Sequence, residues 1–501
     1  LSWVIDMSLK NSEALRAIGA PSAKTALLAL LKRLHFTIGL FIGPFIFIAA
    51  LTGTLYVLTP QIEDYLYAGE LFTPSRGEAH PLAAQIDAAL AVTGPDAKIS
   101  AVRPAPTVGE TTRVMFAEPG LAASETRSVF IDPVTLQVRG DMTVYGTSGI
   151  LPFRTWLNNM HRGLLLGDLG RIYSELAASW LWVAALGGLA LWWVSRGEQQ
   201  PAVRKLRRQG RQLKRGRRWH TLLGLSLLLG LMFFSATGLT WSQWAGSNID
   251  QVRAAVGWLS PSLNTSLMAY PSPAAADPHA EHHVGMEMTA EPANSHLSGL
   301  AESFGETHHP QSARTLDSGV LPMKFDDVVR IARQAGLSAD KIEIKPTYAA
   351  AQAWSVNEID RRWPTQIDAI SINPQTLAVV DHLYFEHYPL IAKLIRWGID
   401  AHMGILFGVA NQILLAAFGS SVCAMIAWGY YLWWLRRPRS GSEPHPLLTL
   451  THEWKQLPAS AKLAIEIPVL ILAITLPVMG FSLILIVVSD YIRWKLSRSH
   501  H

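Results

Sequence analysis

Four histidines stand in matched surroundings. His35 and His220 each lie two residues after an arginine (Arg33, Arg218), four before a glycine (Gly39, Gly224) and seventeen before a Thr-Gly pair (Thr52-Gly53, Thr237-Gly238). The displacement is 185 residues throughout. A second displacement, 241, carries His161 onto His402, Trp156 onto Trp397, Gly163 and Gly167 onto Gly404 and Gly408, and Trp192-Trp193 onto Trp433-Trp434. It also carries Ile131-Asp132-Pro133 with Thr135-Leu136 onto Ile372-Asn373-Pro374 with Thr376-Leu377. So many coincidences at one spacing read as an internal duplication.

A pseudo-twofold axis between duplicated halves would bring equivalent residues together in pairs. Two imidazoles facing each other across a helix bundle are a set of axial ligands for one haem iron. Gly39 and Gly224, one turn beyond their histidines, share the histidine face of a helix and leave room for a flat macrocycle. Arg33, Arg162 and Arg218 are placed to pair with propionates. The expectation is two b-type haems, one on His35 and His220 and one on His161 and His402. The plainer alternative is that these histidines cap helices or contact lipid headgroups. Four ionisable groups at matched membrane positions make the functional reading the stronger.

A second set of metal-binding residue types lies in a Pro- and Ala-rich insert, 265–315: His279, His282, His283, Met286, Met288, His296, His308 and His309. Imidazole and thioether suit copper or iron. The spacing is irregular, unlike that of a zinc finger, and a loop with incidental histidines is an equal alternative. Trp192-Trp193 and Trp433-Trp434 read as interfacial aromatics. Asp132 and Asn373 read as turn formers.

The elements that must position these residues are membrane spans. The chain is 49% hydrophobic and 16% charged over 501 residues. Apolar windows long enough for a bilayer run from His35 to Leu58, Ile172 to Val194, His220 to Trp241 and Ile405 to Leu435, with another from Ala461 to Val488 interrupted by Pro468 and Pro477. Between Ser195 and Arg218 stand ten Lys or Arg and one acid, Glu198. A short loop of that kind stays in the cytoplasm. The net charge of +5 is thus mainly a topology signal, with no nucleic-acid partner expected. The sole cysteine, Cys423, excludes structural disulfides and cysteine-ligated clusters. The first span reads as an uncleaved anchor.

The expected fold is a polytopic α-helical membrane protein of two repeated halves, each a span, a periplasmic α/β module and a second span, plus a C-terminal hydrophobic segment. The segments are a cytoplasmic tail (1–30), a first span (31–59), a first module (60–152) and a second span with a periplasmic extension (153–195). A basic cytoplasmic loop (196–218), a third span (219–245) and a second module with the insert (246–390) follow. The chain ends with a fourth span and extension (391–436), a cytoplasmic segment (437–460) and a fifth span or re-entrant segment (461–490). In the modules, alternation predicts helices at 82–93 and 325–336 and strands near 97–104, 111–117, 127–132, 341–346, 352–358 and 367–373. From His161 to Trp192 a straight helix would be roughly 46 Å long. Either it projects from the bilayer or it breaks near Gly167-Asp168-Leu169-Gly170.

These motifs resemble the PepSY-associated transmembrane family, known from bacterial iron-regulated inner-membrane proteins and ferrisiderophore reductases. The features that carry the resemblance are Arg33-Leu34-His35 with Thr52-Gly53, Asp132-Pro133-Val134-Thr135, and His161-Arg162-Gly163 through Gly167 to Trp192-Trp193, with their counterparts. It covers roughly 30–260 and 320–438. The family's turn glycine is replaced by Leu136 and Leu377. The resemblance implies PepSY-like modules, haem, and reduction of a periplasmic ferric chelate. With no Gly-rich dinucleotide fingerprint, Walker loop or HExxH pair in the chain, the expected electron donor is a quinol or a separate cytoplasmic reductase. The alternative function is a non-enzymatic binding or regulatory membrane protein for peptide, protease or copper. A metal transporter ranks last, because the spans hold few polar residues beyond Ser and Thr.

Overall fold

The computed structural model describes residues 23–122, 124–146, 149–196, 208–268, 321–349, 351–436 and 449–499. All eight His and Met candidates of the insert lie outside the described residues. The chain divides into two compact units: Leu1–Thr54, Asn159–Ile249 and Leu415–His501 in one, Leu55–Asn158 and Asp250–Leu414 in the other.

The first unit is helical. Among the described residues, Gly167–Ser195, Val409–Arg436 and Pro477–Ser497 are long and apolar enough to cross a membrane. Two further spans, expected as single helices, are bent pairs: Ala23–Phe41 with Gly43–Val57, at 54°, and Gln212–Ser226 with Leu228–Thr240, at 56°. The first bend has a plain cause. Pro44 lacks the N–H that would bond the Leu40 carbonyl, and the Tyr430 hydroxyl donates to that carbonyl instead, at 2.6 Å. The second bend falls beside Ser226, whose hydroxyl donates back to the Leu223 carbonyl, a local competitor of the helix ladder. The helices close on a core that includes Ile38, Trp180, Leu231 and Val422, and Trp180 Nε1 donates to Ser482 Oγ.

The helix that carries His161, Pro152–Gly163, ends just before the expected break at Gly167. Leu164 and Leu165 both take left-handed φ, 52° and 61°, and Gly167 follows at 59° before the Gly167–Ser195 helix begins. A Cβ on Gly170 would overlap the Gly163 carbonyl, so the close return of the chain there requires glycine at position 170. The last hydrophobic segment is a helical hairpin. Ala459–Thr475 and Pro477–Ser499 meet at Leu476, and the Thr451 amide and hydroxyl both donate to Asp490 Oδ2. The hairpin thus brings the segment before its first helix against the C-terminal half of its second.

The second unit is built on one antiparallel sheet whose strands are β1 Lys98–Arg103, β2 Thr112–Ala117, β3 Glu125–Ile131, β4 Val138–Tyr145, β5 Ile342–Lys345, β6 Trp354–Glu358, β7 Ala369–Ile372 and β8 Val379–Leu383. Their order in the sheet is β4-β3-β2-β1-β5-β6-β7-β8. Two helices, Leu82–Thr93 and Leu321–Gln334, cover one face. Side chains alternate along a strand, and the residues sort accordingly. Val114, Phe116, Val129, Ile131, Ile344, Trp354 and Ile370 pack under the helices, while Met115 and Phe130 join Ala101 in a separate cluster on the opposite face. The same alternation sends Arg103, Arg113, Glu343 and Lys345 to that opposite face. At the seam between β1 and β5, Arg103 Nε donates to Glu343 Oε2 at 2.8 Å. Both residues are buried.

The turns after β3 and β7 share one construction. Asp132 Oδ1 accepts from the amides of Val134 and Thr135, and Asn373 Oδ1 from those of Gln375 and Thr376. Leu136 and Leu377 then take φ of 59° and 58°, the conformation for which glycine is usually chosen.

Candidate functional site

The first unit brings His35 and His220 together. Their ring centroids stand 6.3 Å apart at an interplanar angle of 78°. An iron bonded at about 2 Å to a nitrogen of each ring would hold two imidazole centroids about 6 Å apart. Two imidazoles alone are a meagre donor set for a bare ion, and no group of three or more His, Cys, Asp or Glu able to hold a metal exists among the described residues. A macrocycle that brings four nitrogens of its own fits this donor set.

Packing around the two rings is matched. A Cβ on Gly188 would stand 3.3 Å from His35 Cε1, and one on Gly429 3.6 Å from His220 Cε1. Gly188 and Gly429 differ by 241 in number, as do Ala184 and Met425, whose carbonyls face the His35 and His220 rings. Nδ1 of both histidines is buried without a formed hydrogen bond. The expected spacer glycines are open: a Cβ on Gly39 would meet empty space, and one on Gly224 would make ordinary contact with Met425 Sδ. Arg33 is half-buried and Arg218 exposed, both two residues before their histidines.

His161 also belongs to the first unit. Its Nδ1 lies 3.0 Å from Thr52 Oγ1, and a Cβ on Gly53 would stand 3.3 Å from its Cε1. The Thr52 hydroxyl donates its one proton to the Ile48 carbonyl, at 2.7 Å. Its oxygen is therefore the acceptor for His161 Nδ1–H, which leaves Nε2 unprotonated, as a metal-binding imidazole requires. Arg162 follows directly in sequence. His402 ends the Leu390–His402 helix of the second unit. Glycines at left-handed φ follow it, Gly404 at 77° and Gly408 at 58°. Asn411 Nδ2 donates to the Ala401 carbonyl beside it.

Sequence reasoning missed Gly188 and Gly429. The signal was present, because the displacement that relates them already linked Trp192-Trp193 to Trp433-Trp434. Thr52 was visible as part of a motif, without a role.

Apolar spans joined to an eight-stranded antiparallel sheet unit define a helical membrane protein with an α/β unit. The family model described as the PepSY-associated TM region matches residues 32–436, and the chain belongs to that family. No curated protein matches the chain.

Proposed function

We propose that the protein is a di-haem electron carrier of the bacterial inner membrane that reduces a periplasmic ferric substrate, a ferric chelate or ferrisiderophore. The observation that supports this most directly is the separation of His35 and His220. Haem b would supply a one-electron carrier cycling between ferric and ferrous iron. His35 and His220 would hold one such group, with Gly39 and Gly188 leaving space and Arg33 and Arg218 pairing with propionates. The other haem rests on the sequence spacing alone, with His161 and Arg162 in the first unit and His402 in the second. The halves read as a duplication, with the basic loop cytoplasmic and the sheet unit periplasmic.

A quinol or a separate cytoplasmic reductase would donate. Each quinol oxidised gives two electrons and two protons, enough to take two ferric ions to ferrous. The second reading, a binding or regulatory protein, draws on the composition of the His/Met insert, where copper is the expected ion. Equilibrium dialysis of that peptide against Cu(I), with a scrambled peptide as control, tests it.

The experiment for the main reading is a reduced-minus-oxidised visible spectrum of the purified protein, with stoichiometry by pyridine haemochrome. Two b-type haems per chain are expected. His35→Ala and His220→Ala should each lose the same one. A haem-free protein after expression with ample haem overturns the reading.

A further inference from the structure

The sheet face opposite the helices forms the floor of a cleft of about 1090 Å³ within the second unit, a size suited to a small-molecule ligand. Its lining carries eight Lys or Arg side chains against six Asp or Glu. The charges are grouped so that carboxylates are shared. Arg103 and Lys345 both reach Glu343, and Arg361 and Arg396 both reach Asp400. Arg113 and Arg154 flank Glu63, and neither is within ion-pair distance of a carboxylate among the described residues.

Two side chains there are left unsatisfied. Glu63 is 7% exposed and its Oε1 has no hydrogen-bond partner. Arg154 stacks on Tyr56 while its buried Nε has no partner. Unpaired buried polar atoms are costly unless something completes them. The cleft also runs past Met403 and Gly404, the two residues that follow His402.

We infer that this cleft binds the electron acceptor, and that the acceptor is a multiply charged anionic ferric chelate of the carboxylate class, held by Arg154 and Arg113. The inference rests on the reductase reading for its account of why an iron chelate should lie beside His402. Guanidinium groups bind carboxylates through paired, charge-assisted hydrogen bonds, whereas a cationic hydroxamate chelate would meet a like-charged wall. Glu63 acts as a gate on charge. Burial raises its carboxyl to about 7, with Arg154 and Arg113 opposing the shift and neighbouring Asp64 adding to it. Its neutral form admits an anion and its ionised form competes for the same arginines.

The test is calorimetric binding of gallium(III) citrate, a redox-inert stand-in, to the full protein in phosphatidylcholine nanodiscs. Saturable binding is expected, with little binding of the cationic gallium complex of a trihydroxamate. Arg154→Gln should weaken it by about tenfold or more. Glu63→Gln should tighten it severalfold at pH 8, a gain that misfolding cannot produce. No citrate binding, equal binding of the cationic complex, or unchanged affinity in Arg154→Gln overturns the inference. So does loss of binding in phosphatidylglycerol nanodiscs, which would identify a lipid headgroup as the occupant. Haem content of the same samples separates the two readings: haem-replete protein that fails to bind sinks only this inference, and haem-free protein that still binds citrate sinks the reductase and the acceptor role while leaving the anion site.

Discussion

Thr52 and His161, 109 residues apart in sequence, meet at 3.0 Å with the threonine hydroxyl committed to the Ile48 carbonyl. The pair fixes which imidazole nitrogen carries the proton. Thr52→Val keeps the shape and removes the acceptor. Supporting hydrogen bonds of this kind are worth about 10–100-fold in metal affinity. The variant should lose haem from one site or shift its midpoint potential, while Thr52→Ser restores both. Redox titration of the two haem bands decides, and an unchanged titration would dispose of the role.

Gly188 and Gly429 lie against the two rings at unequal distances, 3.3 and 3.6 Å for an added Cβ. Gly188→Ala should push His35 and lower occupancy of its site. Gly429→Ala falls within ordinary contact and should be near-silent. Haem-to-protein ratios of the two variants, measured side by side, check the asymmetry.

Which parts of this were legible in the sequence follows from how local each cause is. The two sheet-covering helices and the strands could be read because alternation and helical periodicity are local. The Pro44 bend was also written locally, but its acceptance depends on Tyr430 reaching Leu40 from a helix nearly four hundred residues away. The cleft was not legible at all. Arg103 and Glu343 are 240 positions apart, and no pattern near either one reveals that they share a sheet face.

Asp132 and Asn373 make equivalent turns, yet Asp132 alone also accepts from the Thr73 and Ser75 hydroxyls through Oδ2. Burial would raise its carboxyl, but these hydrogen bonds and two turn amides hold it well below the usual carboxylate range. Its folded pKa is thus depressed, and the stability it contributes is present above the unfolded value and lost only in acid. Asp132→Ala should cost about 1–3 kcal/mol, Asn373→Ala less. Thermal unfolding at neutral pH compares them, and the gap should narrow as the pH falls through the ordinary Asp range.

Ionisation of Glu63 sets a pH profile. Its folded pKa is raised from 4.5 to about 7, so an anionic ligand should lose affinity as pH rises through neutrality. Glu63→Gln should flatten that profile. Calorimetry with gallium citrate between pH 6 and 8 reads it directly.

The bond from Thr451 to Asp490 makes a prediction about topology. A reporter fused after His501 should fall on the same side of the membrane as one inserted between 437 and 448. Opposite sides would mean that the C-terminal hairpin opens into a single crossing.

The Arg103–Glu343 seam also has a cost in time. Until β5 is made, β1 presents an unpaired edge and a cation without its carboxylate. At roughly 5–20 residues per second of synthesis, the 240 residues separating the pair take about 10–50 s. Throughout that interval the nascent first half offers a bare strand to any neighbour, a hazard natural sheets work to avoid. Arg103, the charged residue that ends β1, would place an unpaired charge at one end of that edge, a feature that disfavours wrong pairing, before it becomes half of an ion pair in the finished sheet.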